Sequence, residues 1–287
     1  MDNAWTRFDE RFGLKPISED SPIFILAAGW RSGSTLLQRL VCSSGEALIW
    51  GEPYGRMGLV PAMTRATMSL RSKWPHEGSF PRDEAFEQLS EGWIANLYPE
   101  PAALKRSCLQ QVETLLAEPA RARGFTRWGM KEVRLQRMDA NYLAWLYPKA
   151  RFLFLVRNPW DAWASCKGGK WTIRWPDQQV TSAAQFGAHW RKLVESFLGW
   201  PDDRGMLVRY EDLIKPSFDL EQIREHCGLS RVDEAPRQKV VRGMDKEPTP
   251  LNPLEVGQIR LRAGEWAEIC GYSGPTLEPE SGLTVPG

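Results

Sequence analysis

Two segments carry residues whose types and order could do chemistry: Gly29-Trp30-Arg31-Ser32-Gly33-Ser34-Thr35-Leu36 and Arg157-Asn158-Pro159-Trp160-Asp161-Ala162-Trp163-Ala164-Ser165. Each follows an apolar run that reads as a buried strand, and each opens a helical pattern. A strand that ends in a loop and then a helix start is suited to anions. Backbone N–H groups point outward there, and the helix dipole adds positive potential. Each segment also holds an arginine, and neither holds a carboxylate suited to magnesium. The pair therefore predicts a ligand with two separate anionic ends.

Aligned with a nucleotide-triphosphate loop, Ala28–Thr35 places Ser34 where a lysine should neutralise the β- and γ-phosphates. Arg31 supplies positive charge instead, earlier in the loop. The apolar run Phe152–Val156 ends at Arg157, whereas triphosphate chemistry needs an aspartate there for Mg²⁺. A Gly/Ser loop alone reads as a turn capping a helix. The preceding strand, Arg31 and the second segment together favour an anion site. In that second segment Asn158 fits an N-cap, Pro159 the first helical position and Asp161 the third, a capping box that assigns Asp161 to helix initiation. Ser165 falls on the same face as the cap, within reach of an anion held by Arg157. The alternatives are a helix-packing contact for Ser165 and a salt bridge for Arg157.

These loops need a framework. Pro22–Ala28, Ala47–Trp50, Phe125–Val133, Arg151–Val156 and Met206–Arg209 read as strands. Helical patterns cover Ser34–Cys42, Met138–Leu146, Pro159–Cys166, Ala183–Leu198, Leu220–Cys227 and Leu254–Ile269. Tyr54 to Glu118 is mostly helical, broken at Trp74-Pro75-His76-Glu77-Gly78. The alternation predicts an α/β fold: a central parallel sheet of about five strands, flanked by helices on both faces, with sites at the strands' C-terminal ends. The 287 residues are read as a single domain with a core from about Pro22 to Tyr272 and a loose Pro/Gly-rich tail, Ser273–Gly287.

Composition narrows the partners. With 37 basic and 36 acidic residues the net charge is +1, so bulk charge gives no support to a nucleic-acid partner. No stretch approaches the roughly 18 continuous apolar residues of a membrane span. The N-terminus lacks a secretory pattern, and the five cysteines lie far apart with no C-x-x-C pair, against a zinc site or disulfide framework. A cytoplasmic protein without a membrane partner is expected.

At these residues the chain resembles sulfotransferases that use 3′-phosphoadenosine 5′-phosphosulfate (PAPS, leaving product PAP). Arg31-Ser32-Gly33-Ser34-Thr35-Leu36 resembles the family's 5′-phosphosulfate loop, Arg157 with Ser165 its 3′-phosphate pair, and Val208-Arg209-Tyr210-Glu211-Asp212-Leu213 a later segment whose tyrosine, here Tyr210, lies near the adenine. Trp128-Gly129-Met130-Lys131-Glu132 and Gly51-Glu52-Pro53 look like further family segments. The resemblance implies a three-layer P-loop-like fold related to nucleotide kinases. Arg31 and Glu52 look closer to the tyrosylprotein and carbohydrate branches, with a glutamate base, than to the small-molecule branch, with a histidine base. Those relatives are usually membrane-anchored; this chain looks like a soluble, bacterial-style member. A loop before the final helix, Arg242–Leu251, should close over the cofactor.

Sulfuryl transfer builds negative charge on the leaving phosphate oxygen, so fixed positive groups are needed there. Arg31 and the loop amides are the first candidates and Lys131 the second; no metal is required. Glu52, after the second strand, is the candidate base; its alternative is a solvated turn carboxylate, and His76 is held in reserve. Trp74, Trp171 and Trp175, among fourteen tryptophans, could line an acceptor cleft. The acceptor, whether small molecule, sugar or peptide, is left open, as is the oligomeric state. A hydroxyl acceptor is expected ahead of an amine. The rival readings are a P-loop kinase or NTPase and a non-catalytic PAP/PAPS-binding protein.

Overall fold

The computed structural model describes residues 4–70, 73–80, 86–87, 89–92, 94–95, 97–167, 174–175, 178–239 and 248–276. Five parallel strands form the central sheet: β1 (Ile23–Ala27), β2 (Ala47–Gly51), β3 (Arg127–Glu132), β4 (Arg151–Val156) and, after a two-stranded antiparallel ribbon of β5 (Arg174–Trp175) and β6 (Gln178–Gln179), β7 (Gly205–Arg209). Their spatial order is β2-β3-β1-β4-β7. The ribbon has no counterpart in the expected strands.

The central position of β1 explains its unbroken apolar sequence, because a strand covered on both faces has no polar side. Successive side chains leave a strand on opposite faces. Phe24, Leu26 and Ala28 accordingly enter one core cluster, and Ile23, Ile25 and Ala27 the other.

The helices are α1 (Ala4–Phe12), α2 (Ser34–Cys42), α3 (Leu59–Thr67), α4 (Pro101–Val112), α5 (Glu118–Arg121), α6 (Arg137–Leu146), α7 (Pro159–Lys167), α8 (Ala183–Leu198), α9 (Tyr210–Leu213), α10 (Glu221–Cys227), α11 (Ala235–Gln238) and α12 (Pro253–Ile269). One turn of π-helix, Glu113–Ala117, links α4 to α5. Leu37, Leu40 and Val41 of α2 and Ile223 and Cys227 of α10 cover one face of the sheet. Residues of α6, α8 and α12 build the other, larger layer. The α1 helix joins that layer through buried Trp5 and Phe8, with the Trp5 indole donating to Thr67 Oγ1 at 3.0 Å. The fold is thus a three-layer α/β arrangement, as the alternating pattern predicts.

Parallel strands place all their C-terminal ends on one edge. That edge gathers the Gly29–Gly33 loop after β1, Glu52 after β2, Lys131 near the end of β3, Arg157 after β4 and Tyr210 after β7.

Candidate active site

A cleft of about 460 Å³ opens on this edge. Of the residues expected to bind or react, Arg31, Gly33, Ser34, Thr35, Leu36, Glu52, Lys131, Arg157, Ser165 and Tyr210 all line it. Ser32 does not. Its side chain is fully buried, and its hydroxyl has no hydrogen-bond partner among the described residues, so only its main chain is available to a ligand.

The first loop is shaped by left-handed backbone at Gly29 (φ 85°), Arg31 (φ 61°) and Gly33 (φ 86°). Gly33 occupies the N-cap of α2, and no side chain caps that helix, which leaves its amide end to the cleft. The ring of Tyr210 lies against Gly33 so closely that a Cβ there would fall 2.1 Å from Tyr210 Cδ2. Glycine is thus required twice, for its dihedral and for its missing side chain. Gly33→Ala is expected to cost about 1–2 kcal/mol from the dihedral alone, lowering the melting temperature, and to weaken nucleotide binding because Tyr210 must move. Calorimetric scans and nucleotide titrations of the variant check both effects.

The two loops touch, because β1 and β4 are neighbours in the sheet. Arg31 Nε donates to Ser165 Oγ at 2.8 Å, and Arg157 Nη1 donates to the Arg31 carbonyl at 2.7 Å. The Arg157 guanidinium also lies 4.6 Å from the centre of the Tyr210 ring, a cation–π distance. The expected pair of anion sites is therefore one continuous basic surface with Tyr210 between them.

The second loop departs from expectation at Asp161. Asn158 does cap α7, its Oδ1 accepting from the amides of Trp160 (3.0 Å) and Asp161 (3.3 Å). The reciprocal capping bond is absent, because Glu211 Oε1 takes the Asn158 amide at 2.8 Å. Asp161 instead accepts from the amide and hydroxyl of Thr276, at 3.0 and 2.6 Å. Gly274 and Tyr272 join this arrangement: Asn158 Nδ2 donates to the Gly274 carbonyl at 2.7 Å, and the Tyr272 hydroxyl to Glu211 Oε2 at 2.6 Å. The first residues of the expected loose tail are thus docked; residues 277–287 lie outside the described residues.

Across the cleft, Glu52 follows β2 with a strained φ of 40°. Its amide donates to the Lys131 carbonyl at 2.7 Å, extending the β2–β3 ladder. Its carboxylate meets Lys131 Nζ at 2.5 Å on one oxygen and Arg134 Nη2 at 3.6 Å on the other. Both cations are buried. Arg134 is itself fixed by a two-pronged bond to Glu132, at 2.8 and 2.9 Å. Burial pushes the Glu132 carboxyl above its ordinary range, against the pull of Arg134.

Several contributors escaped the sequence reading: Arg134, and Arg39, Arg237 and Lys239, which line the cleft. Arg39 carried a usable signal, since it lies one helical turn beyond Thr35 on α2.

The reserve base His76 is exposed and packs with Trp74, their rings 5.3 Å apart. Neither lines the cleft; Trp74 faces a separate groove with Phe80 and Tyr98. His189 is closer, behind the first loop with its ring 5.3 Å from that of Trp30. Burial drives its imidazole down to about 3, so it stays neutral at physiological pH. Trp171, the side chain of Trp175 and positions 242–247 of the expected closing loop lie outside the described residues. Pro248 lines the cleft, and Thr249 donates its amide to the Ala164 carbonyl at 3.0 Å.

Comparison with solved structures returns the sulfotransferase domain of the Synechococcus olefin synthase (19% identity, 91% of this chain and 99% of that one, TM-score 0.47). It also returns a Mycobacterium avium sulfotransferase (14%, 97% and 84%, TM-score 0.44) and a mouse sulfotransferase complexed with PAP (14%, 85% and 68%, TM-score 0.37). No curated protein matches the chain in sequence. Residues 22–234, which run from the first strand past Tyr210, match the family model described as "Sulfotransferase family". The chain therefore belongs to the sulfotransferases, whose reaction is sulfuryl transfer.

Proposed function

We propose that the protein transfers a sulfuryl group from PAPS to an acceptor hydroxyl, with Glu52 as the base. The observation that carries this reading is the charge pattern of the cleft. Six cations, Arg31, Arg39, Lys131, Arg157, Arg237 and Lys239, line it, and Glu52 is the one carboxylate among the described lining residues. That donor set fits a ligand with phosphate at both ends of a nucleoside. The flat Tyr210 ring, packed on Gly33, suits the adenine carried by the ribose that joins those phosphates.

In this reading Arg157 and Ser165 hold the 3′-phosphate, while Arg31, the main chain of Ser32, and Gly33, Ser34, Thr35 and Leu36 hold the 5′ end. PAPS supplies the sulfuryl group and a phosphate leaving group. Glu52 takes the proton of the acceptor hydroxyl as its oxygen bonds to sulfur. Lys131 has three N–H donors, enough to hold Glu52 and also balance charge on the departing phosphate oxygen beside Arg31. The Lys131 and Arg134 contacts fix the Glu52 carboxylate in one orientation, as a base must be fixed to act.

The test is thermal stabilisation. PAP at about 100 times its dissociation constant should add about 2.7 kcal/mol, a rise of about 4–5 °C for a protein of this size. ATP with Mg²⁺ should add much less. A larger shift with ATP and Mg²⁺ than with PAP would overturn the cofactor assignment.

A further inference from the structure

Next to the basic cleft lies a concavity of contrasting chemistry. Its volume is about 760 Å³, the size of a small-molecule site. Tyr54, Met57 and Leu59 form one wall, and Gln111, Thr114 and Leu115 form the other. Among the described residues none of its lining is charged.

Three observations tie this groove to the Glu52 carboxylate. First, Glu52 and Tyr54 belong to one tight turn, closed by the Gly55 amide on the Glu52 carbonyl at 2.8 Å. Glu52 lines the cleft and Tyr54 the groove, so this turn is the ridge between them. Second, both walls carry irregular backbone. Tyr54 is left-handed at φ 56°, and Thr114 and Leu115 lie in the π-turn Glu113–Ala117; such features concentrate at functional sites. Third, Leu59 and Leu115 also border a small void shared with Pro53, so the apolar surface continues to the residue next to Glu52.

Tyr54 and Met57 are each 65% exposed, so their side chains are open to a ligand entering the groove. A carboxylate or phosphate in this groove would lose hydration and meet no counter-charge among the described lining residues. A sugar would find neutral hydrogen-bonding side chains at Ser107, Gln110, Gln111 and Thr114 and, across from them, the Tyr54 hydroxyl, whereas Met57, Leu59 and Leu115 offer it nothing but apolar surface.

We propose that the groove seats the acceptor, and that the acceptor is an uncharged alcohol with a hydrocarbon body. The inference rests on the reading of the cleft as a PAPS site. The alcohol oxygen bonds to sulfur, the bond from sulfur to the 5′-phosphate oxygen breaks, and the hydroxyl proton passes to Glu52. The products are a sulfate monoester and PAP.

The experiment has two readouts on the full chain. In the first, 1-butanol, 1-hexanol and 1-octanol are compared as acceptors with glucose and a tyrosine-containing acidic peptide, each with PAPS. The alcohols should gain about three- to fourfold in kcat/KM per methylene and exceed glucose and the peptide. In the second, 1-octanol is titrated calorimetrically with and without PAP, against wild type, Met57→Asp and Thr114→Glu. Each variant should bind octanol at least about tenfold more weakly and keep wild-type PAP affinity, which also reports that it is folded. Chain-length-independent rates, a preference for glucose or the peptide, or unchanged octanol binding in both variants would overturn the groove assignment. Failure of PAP to bind wild type would instead sink the cofactor reading, and octanol binding without PAP would still judge the groove.

Discussion

Glu52→Gln is expected to lower kcat by about 10²–10⁴, the range that a positioned general base contributes, while PAP affinity stays at or above that of the wild type. The amide keeps the shape of the side chain and an oxygen that can accept from Lys131, so the buried ammonium retains a partner. The carboxylate is one-third exposed, but its loss leaves the buried Lys131 ammonium with a neutral acceptor in place of a counter-charge, so some loss of stability accompanies the change. What disappears is proton affinity. Removing a negative charge from a basic cleft also cannot weaken a phosphorylated ligand through electrostatics. Initial rates at saturating PAPS, with a parallel PAP titration, separate the two effects. A variant with near wild-type kcat would remove Glu52 from the mechanism, and one that failed to bind PAP would show that its role is structural.

Arg157→Ala is expected to weaken PAP binding by about 10²–10³, since truncating one partner of a hydrogen-bonded charge pair costs about 2–5 kcal/mol. Two losses add here. The guanidinium would no longer meet the 3′-phosphate, and the Arg31 carbonyl would lose the donor that ties the first loop to the second. Tyr210 would lose the cation over its face as well. Arg157→Lys should recover only part of the affinity, because an ammonium keeps the charge but not the planar fork. The signature is a raised KM for PAPS with a smaller change in kcat. Unaltered PAP affinity in the alanine variant would overturn the 3′-phosphate assignment.

The strands and both loops were legible because their signals are local. A short apolar run, a glycine or arginine and then a helical period occupy consecutive residues, and burial of β1 on both faces leaves a continuous apolar word in the sequence. Glu52 and Lys131 were legible through family segments, but their ion pair was not, since it depends on β2 lying beside β3. Asp161 was misassigned for the same reason. Its capping spacing is local, whereas its actual partner Thr276 is more than a hundred residues away. Arg134 carries no local signal; only the buried Glu132 fork distinguishes it. The apolar groove could not be read at all, because its walls come from separate stretches and owe their shape to a π-turn and left-handed backbone.

The docking of Tyr272, Gly274 and Thr276 onto Asn158, Asp161 and Glu211 makes the stretch after α12 a clasp on the hinge from β4 into α7. If the two loops hold the nucleotide as proposed, trimming or appending chain there is expected to perturb one half of that grip and spare the other. The proposed 3′-phosphate side should loosen first, while the opposite loop, anchored on β1 and α2, keeps its shape.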